Sequence, residues 1–188
     1  MVALDLAQGD FRGLTLSGQL SVVERAAAGD AVFLIGSSMG GYLAALYAAR
    51  HPEVAGLILM APAFSFHSLW KKELGPEKMA EWRKKGTIPV FHYGEGSQMD
   101  LSYALIGDAE KFEDFPDVAA ACLVFHGVQD QVVPIALSQA FARRRSNVRL
   151  IEVNSGHELT DAMDEIWKES KPFLLTRTSH NLNVPESN

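Results

Sequence analysis

The chain has 188 residues, with 17 Lys and Arg against 23 Asp and Glu, for a formal net charge of −6. That length suits one domain with a sizeable core, and 47% apolar with 21% charged residues excludes a largely disordered chain. The acidic balance argues against a nucleic-acid or anionic-membrane binder, whose affinity comes from clustered Lys and Arg. The basic runs Lys71-Lys72, Arg83-Lys84-Lys85 and Arg143-Arg144-Arg145 are short and read as solvated helix faces.

The single cysteine, Cys122, excludes an internal disulfide and a cysteine-based zinc cluster. It lies in the apolar run 121–125 and reads as a buried, inert thiol. The first basic residue is Arg12, so no charged segment precedes an apolar one as in a secretory signal. The longest apolar stretch, residues 54–64, is about half a membrane span and contains Gly56 and Pro62. The chain reads as a soluble, cytoplasmic protein.

Five apolar runs predict strands: residues 1–6, 31–35, 56–60, 121–125 and 148–153. Four are apolar on both faces, as strands covered by helices on each side are. Leu16, Leu20, Val23 and Ala27 recur at helical spacing, with Gly29-Asp30 as the stop. Residues 40–50 predict a small-residue helix ended by His51-Pro52. A further helix, 135–145, follows Pro134, and Leu159, Met163, Ile166 and Trp167 predict a last amphipathic one. The alternation predicts an α/β fold: a mainly parallel sheet with flanking helices in three layers, over a single domain 1–175.

Two segments break this rhythm. Sixty residues separate Met60 from Ala121, more than one crossover needs. They hold Phe64, Phe66, Trp70, Trp82, Phe91, Tyr93 and Tyr103 and a helical stretch at 76–85. We read residues 64–117 as an insert over one end of the sheet, a small cap or pocket wall. The alternative is an elaborated crossover packed on the sheet's flank. Residues 176–188 are polar and predict a disordered tail.

Gly36-Ser37-Ser38-Met39-Gly40 is G-x-S-x-G, placed between a predicted strand and a predicted helix. In that context the turn is so tight that the serine is strained and its hydroxyl projects above the sheet edge. Glycine two residues to either side removes Cβ atoms that would collide there. Ser38 is therefore the candidate nucleophile. A serine hydroxyl needs a base, and the base an orienting carboxylate, in the chain order Ser, Asp or Glu, His. Asp130 follows the predicted strand 121–125, and His157 follows the last one. Parallel strands bring both loops to the edge that carries Ser38. Alternatively, Asp130 caps the next helix and His157 packs near a helix start. Glu158 and Asp161 suit the following helix dipole. His126, on the carboxylate's own strand, reads as structural. His51, His67, His92 and His180 show no metal-ligand spacing, so no metal is expected.

These residues resemble the α/β-hydrolase superfamily and, within it, the small single-domain esterases grouped as YqiA/YcfP-like. The resemblance spans about residues 2–175 and rests on four runs: Asp10-Phe11-Arg12-Gly13-Leu14-Thr15-Leu16-Ser17; Gly36-Ser37-Ser38-Met39-Gly40-Gly41-Tyr42; Phe125-His126-Gly127 with Asp130; and Ser155-Gly156-His157-Glu158-Leu159-Thr160. It implies a Ser38, Asp130, His157 triad hydrolysing small to medium acyl carboxylic esters through an acyl-enzyme, without a cofactor. It also implies that the Met39 N–H supplies one oxyanion donor. The same triad would serve a thioesterase, lipase or amidase. A catalytically weak domain used for binding or assembly is the reading from another class.

The chain departs from the family at its start. Relatives have a strand and a His-Gly-Phe type loop, the source of the second oxyanion donor, before the segment corresponding to residues 1–6. No His-Gly lies upstream of Ser38 here. One lost donor costs about a hundred- to a thousand-fold in rate. Three arrangements answer the gap. The sequence belongs to a longer protein; residues 1–6 pair with the nucleophile strand, with Gly9 or Asp10 backbone as donor; or two chains complete each other through the exposed sheet edge.

Overall fold

The computed structural model describes residues 1–92, 95–143 and 145–181, with side chains to residue 176. In chain order its elements are α1 (Leu16–Ala27), β1 (Phe33–Ser37), α2 (Met39–Ala48), β2 (Gly56–Met60), α3 (Phe66–Lys85), β3 (Thr87–His92), β4 (Ser97–Ser102), α4 (Ala104–Ala109), β5 (Cys122–Gly127), α5 (Ile135–Ala142), β6 (Val148–Val153) and α6 (Met163–Asn181). They form two compact units, Asp30–Phe64 with Pro116–Asn188, and Met1–Gly29 with Ser65–Phe115.

The first of these units is built on a parallel sheet of order β1-β2-β5-β6. β2 and β5 are buried almost throughout, which is why their sequences carry no polar alternation. The sheet's two faces have different cover. Ile58, Leu123, Phe125 and Val153 share one face and pack with Leu159 and Ala162, just before α6, and with Ile166 in its first turn. Cys122, Val124 and His126 alternate to the other face, where His126 meets Ser138 of α5. The crossovers through α2 and α5 have the same right hand and so lie on one side. Helix, sheet and helix make the three expected layers.

Nucleophile-strand geometry depends on close backbone approach. A Cβ at Gly36 would run into the Gly40 carbonyl at the start of α2, and one at Gly41 would lie 3.1 Å from Gly36 O and Pro62 Cβ. Gly40 itself would meet nothing within 4 Å. The two glycines that make room are therefore Gly36 and Gly41, not Gly36 and Gly40.

The other unit contains α1, α3, α4 and the antiparallel hairpin β3-β4. The predicted helix 76–85 is the second half of α3, which kinks at Gly75 (φ 73°, ψ 170°) just before Pro76. Arg83, Lys84 and Lys85 occupy its last turn, where cations complement the helix dipole. Trp82 is buried, donates to Leu101 O at 3.0 Å and packs against Trp70 and Tyr103. At α1 the buried stripe is Leu16, Gln19, Val22, Val23 and Ala27, with Gln19 where Leu20 was expected. The N-terminus of α1 is closed by two acceptors. Thr15 Oγ1 takes the Gly18 N–H, and Asp108 of α4 takes the Ser17 N–H (2.7 Å) and hydroxyl (2.8 Å). Burial opposes the Asp108 charge, but the Lys111 ammonium and the two Ser17 donors outweigh it and hold its carboxyl below the usual range.

Two expectations need correction. Residues 1–6 form no strand: Met1, Val2 and Leu4 are exposed, and β1 pairs only with β2 among the described residues. The Asp10 N–H is engaged by Ala7 O at 2.8 Å in a local turn, and among the described residues β1 has no strand pairing with residues 1–6. Nor does the chain become irregular at Thr176, since α6 continues to Asn181; residues 182–188 lie outside the described residues.

Gly36→Ala should destabilise the protein by at least about 1–3 kcal/mol, because the obstruction is backbone that cannot rotate away; urea unfolding measures it. Asp108→Ala should cost about 1–2 kcal/mol near neutral pH. A lowered carboxyl pKa adds stability above its unfolded value and loses it as pH falls through the folded one. The deficit of Asp108→Ala relative to wild type should therefore shrink on acidification below the usual aspartate range.

Candidate active site

Ser38 sits between β1 and α2 with φ 52° and ψ −121°, a conformation that costs a non-glycine residue about 1–3 kcal/mol. The strain is held by three backbone bonds. Its N–H donates to Met60 O at 2.9 Å, and its carbonyl accepts from Tyr42 N (3.1 Å) and Ala63 N (3.0 Å). Met39 opens α2, so its N–H lies at the positive end of the helix dipole next to the Ser38 hydroxyl's residue.

The loops after β5 and β6 are tied to one another. Val128 N–H donates to Val153 O (2.9 Å), Gln129 N–H to Ser155 O (3.0 Å), and the Gln129 side chain to Asn154 Oδ1 (2.9 Å). At Gly127 a Cβ would strike the Ser155 and Gly156 carbonyls, so the two loops come closer than any side chain would allow. Beyond them Leu159 takes φ 56°, and Ser155 Oγ donates to Asp161 in the short 3-10 turn Thr160–Ala162. Asp161 thus braces the loop as well as standing in that helical turn.

This bracing fixes a line of three side chains. His157 Nε2 lies 3.1 Å from Ser38 Oγ, and His157 Nδ1 lies 2.8 Å from Asp130 Oδ2. The Asp130 side chain is fully buried, while that of His157 keeps 14% exposure toward solvent. Asp130 Oδ1 accepts the N–H groups of Val132 and Val133, both at 2.8 Å. Those two bonds leave Oδ2 for the imidazole, so Nδ1 carries the proton and Nε2 presents its lone pair to the serine hydroxyl. The arrangement can move a proton from Ser38 Oγ to His157 and stabilise the resulting imidazolium.

Sequence reasoning named Ser38, Asp130 and His157, and the structure brings them together. It reads His126 only as structural and does not name Ser138 or Val133, which with it surround the far side of Asp130. The available signal was a histidine inside an otherwise apolar strand, since a buried imidazole requires partners on both nitrogens. Among the other histidines, His51 pairs with Glu53, His67 with Glu110, and His92 accepts the Glu95 N–H. Cys122 is buried and its thiol is pushed up by desolvation, in keeping with an inert group. Among the described residues no three His, Cys, Asp or Glu side chains converge as a metal site would, and no helix is long and apolar enough to cross a membrane.

Solved structures place this architecture. The chain superposes on a protein from Agrobacterium vitis S4 described as a hydrolase with a TM-score of 0.72 at 24% identity, covering 87% of this chain and 70% of that one. Mouse α/β-hydrolase domain-containing protein 10 gives 0.70 at 22% identity, covering 88% and 72%. Est1E from Butyrivibrio proteoclasticus, with ferulic acid bound, gives 0.67 at 20% identity, covering 91% and 72%. At these identities the likeness is one of fold, and the fold is that of the α/β hydrolases. No curated protein matches the sequence significantly. The profile of the uncharacterised protein family UPF0227 matches residues 3–173, and the chain belongs to that family.

Proposed function

We propose that the protein is a serine hydrolase that cleaves small to medium acyl carboxylic esters through an acyl-enzyme. The observation that carries this reading is the unbroken line Ser38 Oγ, His157, Asp130 at 3.1 and 2.8 Å, with the serine on a strained strand-to-helix turn. Ser38 attacks the carbonyl carbon as His157 Nε2 takes its proton. The tetrahedral oxyanion is met by the Met39 N–H at the start of α2. Collapse expels the alcohol, which receives the proton from His157, and water repeats the sequence on the acyl-enzyme. Asp130 keeps the histidine in the required tautomer. The likeness to Est1E, solved with ferulic acid, is consistent with an acyl group at such a site. Thioesters, amides and long-chain esters are substrates for the same residues, and the leaving group and acyl length decide among them.

A second reading is favoured by one observation. The strand that carries the nucleophile is an edge strand, and Ile35 on it is 49% exposed. A catalytically weak domain that associates with a second copy through this edge would look the same.

Hydrolysis of p-nitrophenyl acetate, butyrate and octanoate separates the two readings. We expect turnover that Ser38→Ala lowers at least about 10⁴-fold and Asp130→Asn by about 10⁴-fold, since the asparagine selects the wrong tautomer. A folded protein with no Ser38-dependent turnover, and a dimer by native mass spectrometry, supports the assembly reading instead. On acidification kcat/KM should fall as His157 takes up a proton and ceases to be a base. A flat profile across about pH 5 to 8 would remove His157 from the role of base.

A further inference from the structure

His126 is fully buried on β5, with its ring between the site and α5. Nε2 lies 2.9 Å from Val133 O and 3.2 Å from Asp130 Oδ2, and Nδ1 lies 2.7 Å from Ser138 Oγ. Two groups that only accept face Nε2, so Nε2 must carry the hydrogen. Burial pushes the imidazole below its ordinary pKa, against the pull of the Val133 carbonyl and the Asp130 carboxylate, so the ring is neutral. Nδ1 then has a lone pair, and the Ser138 hydroxyl donates to it. The tautomer is set at Nε2, and the Ser138 hydroxyl, able to donate or accept, complements it at Nδ1.

The contacts close a ring of atoms. Val133 N–H donates to Asp130 Oδ1 while Val133 O receives His126 Nε2–H, and that same N–H stands beside Oδ2, the oxygen to which His157 donates. We propose that His126 is a positioning residue for Asp130, acting through the Nε2–H group that Ser138 holds in place. It clamps the turn 130–133 and shares the carboxylate oxygen that orients His157. This rests on the proposed triad but assigns His126 and Ser138 work that the triad reading does not.

The neutral ring has an electrostatic consequence. A cation in its place would neutralise Asp130 and withdraw the charge that steadies the His157 imidazolium. A neutral donor instead takes a share of the Oδ2 lone-pair density and moderates that attraction. The charged and titratable groups around His126 are Asp130 in its own loop and His157 from the loop after β6. Glu152, its register partner on β6, is engaged by Gln139 at 2.8 Å.

Two measurements test the proposal without depending on turnover. ¹⁵N NMR of the wild-type chain should show His126 as the neutral Nε2–H tautomer; an Nδ1–H tautomer overturns the proposal, because no donor would then face Asp130. The His157 titration, followed by NMR, should move away from its wild-type position in a folded His126→Phe, which removes the N–H beside Oδ2 and the clamp on the 130–133 turn, and return in His126→Gln, which restores an N–H. An unshifted His157 titration in a folded His126→Phe overturns it and leaves His126 a packing residue. Should His126→Phe fail to fold, the tautomer and the His126→Gln titration still decide the outcome. With an ester substrate, kcat of His126→Phe per titrated active site should fall about 10- to 100-fold at nearly constant KM. If Ser38→Ala leaves turnover intact, the proposed function fails, while the tautomer and the His157 shift remain readable.

Discussion

The conformation of Ser38 is the constraint on which the rest of the site depends. A positive φ with ψ near −121° is not one that a serine keeps by itself. It persists because β1 and α2 have no other way to join: Gly36 touches the start of the helix, Gly41 touches Pro62, and the Ser38 N–H is pinned to the end of β2. The neighbouring strand is thus part of the Ser38 geometry. Ala63 N–H, three residues beyond β2, closes the arrangement by bonding back to the Ser38 carbonyl. A hydroxyl held this way meets an imidazole that is fixed independently, and a 3.1 Å contact across 119 residues of sequence follows from the sheet alone.

The second requirement is a carboxylate buried without destabilising the fold. Removing one ion from water costs several kcal/mol unless its oxygens are satisfied. Asp130 meets the demand with two backbone N–H groups on Oδ1 and two imidazoles on Oδ2, one neutral throughout and one that gains charge in the proposed reaction. The distribution is uneven in a useful way. Oδ1 is saturated by rigid backbone, so changes in charge at His157 are felt at Oδ2. Ser138, also buried, satisfies the nitrogen of His126 that Val133 O and Asp130 do not face.

Much of this was readable from residues because burial and chemistry leave different marks. β2 and β5 coincide with apolar runs to within two residues, since a strand covered on both faces has no room for polar alternation; β6 matches its run although Arg149 and Glu152 face out. The order Ser38, Asp130, His157 was legible because each follows such a run. What the sequence left hidden depends on partners far along the chain. Residues 1–6 have the pattern of a strand but no sheet neighbour, and pattern does not reveal pairing. Gln19 is buried in α1 where a leucine was the natural choice. The hairpin β3-β4 lies in the segment read only as an insert, and Pro89 inside β3 hides its strand character. Gly40 was given a steric role that belongs to Gly41, because the motif's spacing does not say which glycine faces Pro62.

The position of β1 bears on how firmly Ser38 is held. Ser38 N–H and Val32 O both bond toward β2, so alternation turns the backbone groups of Phe33, Ile35 and Ser37 to the opposite side. β1 is less buried than β2 or β5, and β2 is its only sheet neighbour among the described residues. An internal strand is fixed by two ladders, whereas β1 relies on one ladder and on the packing of α2. The elbow at its end inherits that asymmetry: every backbone bond that holds Ser38 runs to β2, to the residues just after it, or to α2. A strand added on the side of β1 away from β2 would leave these bonds in place. The Ser38 Oγ to His157 distance and the hold on β1 are one mechanical problem, because Ser38 is the residue that joins the strand to the helix.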